Sequence, residues 1–76
     1  MKSIKYYTTE ALIISTKDKQ VYKIKNADDV YEFKKIVSPF SVEILIELTK
    51  TDTHVMTVPQ FLDTYSSFYW EILDQL

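Results

Sequence analysis

His54 stands two residues after Asp52, and the two could share one turn, so they are the first candidates for acid-base or metal chemistry. A zinc site takes three or four ligands, usually His or Cys, and a nucleophilic triad needs a Ser or Cys held by a His that a carboxylate orients. The chain has a single His and no Cys, so His54 reads as a partly exposed residue at a strand end. Paired carboxylates occur at Asp28-Asp29, at Glu43 and Glu47, and at Asp63 with Asp74. The first pair suits the positive end of a helix dipole. Glu43 and Glu47, four apart on one strand face, would stand ~13 Å from each other, beyond any geometry in which two carboxyl groups share a proton or flank a glycosidic bond.

The 76 residues include no Gly, where average usage of about 7% would give roughly five. A chain without Gly has no Walker loop, no G-x-G-x-x-G turn and no G-x-S-x-G elbow. The reading is therefore a protein that is not an enzyme, with no catalytic residue, no metal and no cofactor. The absence of Arg beside nine Lys and six Tyr fits an AT-rich coding sequence, as in small phage or mobile-element genes of low-GC bacteria.

Two sets of residues could instead bind a partner. Lys17, Lys19, Lys23 and Lys25 interleave with Tyr22, the mixture of cations and stacking aromatics that single-strand binders use. Against nucleic acid stand a sequence pI near 5.2 and the lack of Arg for bidentate base reading. Lysines also guard exposed strand edges against pairing with other chains. Charge is uneven along the chain: residues 1 to 38 carry eight Lys against five acids, a balance of +3, and residues 39 to 76 carry Lys50 against six acids, a balance of -5. Such a chain presents a basic and an acidic surface if the halves stay apart, and neither if the fold interleaves them.

Without Cys, apolar packing has to hold these residues in place, and 46% apolar with 26% charged residues is an ordinary globular mixture. One domain over residues 1 to 76 is expected. No apolar run approaches the ~20 residues of a membrane span, and the basic start is followed by no signal-peptide pattern, so a cytoplasmic location is expected.

Ser3 to Thr16 reads as one bent strand or two short ones, with Ala11 to Ser15 its β-rich heart, and Gln20 to Lys25 alternates as the return strand of a hairpin. Asn26-Ala27-Asp28-Asp29 reads as a helix start, and Val30, Phe33, Ile36 and Val37 fall within an arc of about 120° on a helix that Ser38-Pro39 stops. Val42, Ile44, Ile46 and Leu48 alternate as a half-buried strand, and His54 to Val58 returns after a polar turn. Pro59 suits the first turn of a last helix running to the C-terminus. The expected fold is α+β, a single small domain in the order β-β-α-β-β-α, its antiparallel sheet carrying both helices on one face.

On that last helix Phe61, Leu62, Tyr65, Phe68, Tyr69, Ile72, Leu73 and Leu76 span about 140°, and Trp70 falls on the opposite face among Asp63, Ser67 and Asp74. An exposed Trp is a typical interface anchor. The expected function is a small non-catalytic protein-interaction module, a regulator or inhibitor that docks through the last helix and the neighbouring sheet edge. Its expected contact residues are Trp70, Asp63, Asp74, Ser67 and Tyr31, and its partner is another protein or, as a homodimer, a second copy. The alternative is a nucleic-acid-binding accessory protein using the Lys-rich hairpin.

Overall fold

Two threonines decide where the helices begin. In the computed structural model, which describes residues 5–40 and 42–76, the Thr8 hydroxyl accepts a 3.1 Å hydrogen bond from the Ala11 N–H and caps α1 (Thr9–Ser15). Thr57 caps α2 (Val58–Thr64) in a reciprocal box: its hydroxyl accepts from the Gln60 N–H, and the Gln60 side chain accepts from the Thr57 N–H. Pro59 lies in the first turn of α2, where its missing N–H costs nothing.

The described residues form six strands in one antiparallel sheet: β1 (Tyr7–Thr8), β2 (Val21–Asn26), β3 (Asp29–Val37), β4 (Ile44–Thr49), β5 (Thr53–Thr57) and β6 (Tyr69–Gln75). Their spatial order is β1-β6-β2-β3-β4-β5. The chain is thus a small single α+β domain with a curled antiparallel sheet, as the alternation implied, but the element order is β-α-β-β-β-β-α-β.

Three elements depart from the sequence reading. Ser3 and Ile4, the start of the first expected strand, lie outside the described residues; of the rest, only Tyr7 and Thr8 are strand, and Ala11 to Ser15 belongs to α1. The segment Asn26 to Asp29 caps no helix. It is a two-residue hairpin turn closed by the pair Asn26 and Asp29, with Ala27 at a φ of 51°. The β-branched and aromatic run that follows is strand β3, where Tyr31 and Phe33 face inward and Val30 and Glu32 outward. Finally α2 stops at Thr64, and the residues assigned to its outer turns are strand β6.

One face of the sheet carries the core. Tyr22 and Ile24 from β2, Phe33 from β3, Ile46 and Leu48 from β4, and Trp70 from β6 are buried there with Leu12 of α1 and Phe61 of α2, so both helices cover the same face. Ile46 and Leu48 occupy the core as expected, Ile44 is half-buried, and Val42 lies outside the strand and is fully exposed. The Lys35 ammonium reaches from β3 to the last turn of α1 and donates to the carbonyls of Ile13 (2.9 Å) and Thr16 (2.7 Å), placing a cation at the negative end of the helix. The Thr16 hydroxyl donates to the Leu12 carbonyl at 2.9 Å in the same cap.

Candidate protein-binding edge

Trp70 is wholly buried, which corrects its expected place on an outer helix face. Its ring lies 5.4 Å from Tyr31 edge-on, 5.3 Å from Phe68 and 6.2 Å from Phe61 in a stacked arrangement. The indole N–H donates to the Thr9 hydroxyl at 3.0 Å, and that hydroxyl donates to the Tyr65 carbonyl at 2.5 Å. The helical phase that set Trp70 opposite Phe61 does not exist, because Trp70 is in β6 and alternates with period two. Tyr31 is half-buried against the indole. Asp63 is exposed on α2, Ser67 is exposed between α2 and β6, and Asp74 is exposed on β6 opposite Lys23. The five residues therefore occupy four different settings and share no single face.

The Lys-rich set is also dispersed. Tyr22 is buried, and its phenol oxygen accepts from the Lys17 N–H at 2.8 Å, so its ring offers no stacking surface. Lys17 and Lys19 are exposed between α1 and β2, with Lys19 at a φ of 62°. Register sets Lys23 opposite Glu32 and Asp74, Lys25 opposite Glu71, and Lys34 opposite Glu47. Lysines of the first half thus stand beside carboxylates of the second across the outer face, and two of the expected basic residues, Lys23 and Lys25, are flanked by acids.

His54 is exposed on β5, paired with Leu48. Among the described residues no three His, Cys, Asp or Glu side chains gather to hold a metal ion, and no helix is long and apolar enough to cross a membrane.

The feature that the fold creates is the outer edge of β5. Among the described residues no strand lies beyond it in the sheet. The Thr57 N–H is committed to Gln60 Oε1 at 2.9 Å, not to β4, which makes Thr57 and Leu45 a non-hydrogen-bonded pair. The 2.9 Å contact between the Thr49 and Thr53 hydroxyls has the closeness that such a pair allows. Since the direction of backbone groups alternates, Val55, two residues from each threonine, also turns its N–H and C=O away from β4. Val55 is 59% exposed, and the strand Thr53-His54-Val55-Met56-Thr57 contains no Lys and no Pro, the residues that ordinarily protect an edge.

Beside this edge runs α2. Its Gln60, Asp63 and Thr64 line an open groove of about 450 Å³ together with His54, Val55 and Met56 of β5 and with Tyr65. Burial first, and the Tyr31 phenol second, push the Tyr65 phenol above its ordinary pKa. At the β4–β5 turn, Lys50 is bonded to Asp29 at 2.9 Å; that hydrogen bond and the Asp29 charge raise the ammonium above its usual value. The lysine of that turn is therefore drawn toward β3.

Of the residues expected to make the contact through the last helix and the neighbouring sheet edge, Asp63 lines this groove, Trp70 is in the core, and Tyr31, Ser67 and Asp74 are not among its lining residues. What marks the β5 edge in the sequence is a strand of five residues without Lys, ending in the Thr57-x-x-Gln60 cap.

Comparison with known families and proteins adds no relative: no family model matches the chain, and neither a curated protein nor a solved structure matches it significantly.

Proposed function

We propose that this chain is a small protein-interaction module with no catalysis of its own, a regulator or inhibitor that docks on another protein through the β5 edge and the adjoining helix α2. The observation that carries the reading is the outward-turned Val55 amide and carbonyl on an edge strand that contains no Lys and no Pro. Unpaired edges of this kind are templates for another chain, and natural sheets usually blunt them. The groove beside the edge gives an incoming chain side-chain contacts as well as backbone bonds.

The test is capture from lysates of low-GC bacteria with tagged wild-type chain and with Val55→Pro. Pro removes only an N–H that the β4 ladder does not use, and such edge positions tolerate it. A protein retained by the wild type, cross-linked within residues 53–65 and lost with the variant at unchanged melting temperature, is the expected result. Equal capture by both chains, or cross-links confined to the outer face of β2 and β3, refutes the docking edge.

A further inference from the structure

We infer that the occupant of the β5 edge is an extended basic segment of a partner protein, added as a seventh strand with β-branched residues facing outward and Lys or Arg facing α2. This rests on the interaction-module reading above and names the chemistry of its partner. Backbone geometry sets the first half of the statement. With Val55 N–H and C=O turned outward, and those of Thr53 in the same phase, the groups on offer repeat every second residue, and only an extended chain meets that spacing. A docking helix has no free backbone groups to offer them.

Side-chain direction sets the second half. Val55, Thr53 and Thr57 share the outer face, so the residues opposite them on an added strand meet β-branched neighbours, the cross-strand contact that favours Val, Ile or Thr. His54 and Met56 pair with Leu48 and Ile46 and share the helix-bearing face. A residue opposite Met56 therefore points into the groove that Asp63 also lines. Asp63 is exposed and forms no ion pair among the described residues, and Asp52 stands at the start of the strand. Lys50, in the turn before the strand, is held by Asp29. A Lys or Arg can lay its methylene stem along Met56 and carry its charge to Asp63.

The same charges disfavour a second copy. Antiparallel self-pairing centred on Val55 would set Thr53 against Thr57 of the other protomer and bring two Asp52 and two Asp63 toward one seam, with no lysine on β5 itself and Lys50 bonded to Asp29.

Titration of isotope-labelled full chain with three extended peptides, alternating Val with Lys, with Glu or with Ser, decides the question. The expected result is binding of the Val-Lys peptide with amide shifts confined to Thr53–Thr57 and residues 60–65. That binding weakens about fivefold in Asp63→Asn, the scale of one exposed charge pair, and falls further with added salt. Val55→Lys abolishes it while leaving the melting temperature unchanged. Equal affinity for the Lys and Glu peptides, with both lost in Val55→Lys, overturns the basic preference and leaves the docking edge standing. No shift at β5 with any peptide overturns both. Concentration-dependent self-association that Val55→Lys removes replaces the foreign strand with a second copy.

Discussion

Replacing Trp70 tests the packing that joins both halves of the chain. The indole is fully buried, contacts four aromatic rings and donates its N–H to Thr9. Large aromatic-to-Ala changes in a core cost ~3 to 5 kcal/mol, and the lost hydrogen bond is part of that figure. A domain of this length holds roughly 4 to 11 kcal/mol in all, so Trp70→Ala removes between about a quarter and the whole of it. At ~4 to 8 °C per kcal/mol, the melting temperature falls by at least ~12 °C. Trp70→Phe keeps one ring and is expected to retain the fold. Combined with Thr9→Val in a double-mutant cycle under urea, it should give a coupling of about 0.5 to 1.5 kcal/mol, the value of the bond between indole and hydroxyl. The wild type carries its own probe, because Trp70 is the sole Trp and its native emission should resist quenching by iodide until the chain unfolds. A Trp70→Ala chain that melts within a few degrees of wild type, or a native indole that iodide quenches as freely as the unfolded one, refutes the core assignment.

Two further outcomes follow from single groups. Lys35→Met keeps the side-chain stem but strips the last turn of α1 of its cation, and is expected to cost ~1 to 2 kcal/mol in urea unfolding, with Lys35→Arg recovering part of the loss. The raised Tyr65 pKa means that the folded state favours the neutral phenol. Its contribution is complete below the unfolded value of about 10 and is lost as pH rises through the folded value, so stability should fall in that window more steeply in the wild type than in Tyr65→Phe.

Much of the sheet was legible where one face is wet. β2 and β4 alternate over most of their lengths, β5 shows in the β-branched residues that return after a polar turn, and the β4–β5 hairpin and the Pro59 helix start were read close to their true places. β3 misled because Val30, Phe33, Ile36 and Val37 satisfy a helical arc while their β-branched and aromatic side chains suit a strand, and the Asn-x-Asp-Asp segment before them suits both a cap and a tight turn. The decisive information was non-local: β3 lies between β2 and β4, so its backbone groups find partners on both sides. β6 misled for a similar reason. Aromatics from Phe61 to Tyr69 keep helical spacing past the true end of α2, and only pairing with β1 and β2 makes Tyr69–Gln75 a strand. Because the site was argued from Trp70 on that nonexistent helix, its residues dispersed once the strand was in place, while the edge that the meander leaves open had no mark beyond its want of lysine.

The position of β6 also orders events in time. The meander β2-β3-β4-β5 is contiguous in sequence, and its hairpins need only short loops to close. β6 is drawn from far along the chain and slides between β1 and β2, carrying Trp70 onto rings contributed by β3 and α2. During synthesis the meander can therefore assemble with its inner face still wet, and it stays a half-built barrel stave until β6 has been made. In that interval the molecule has two raw edges, β2 and β5, and only one of them is ever covered by the chain itself.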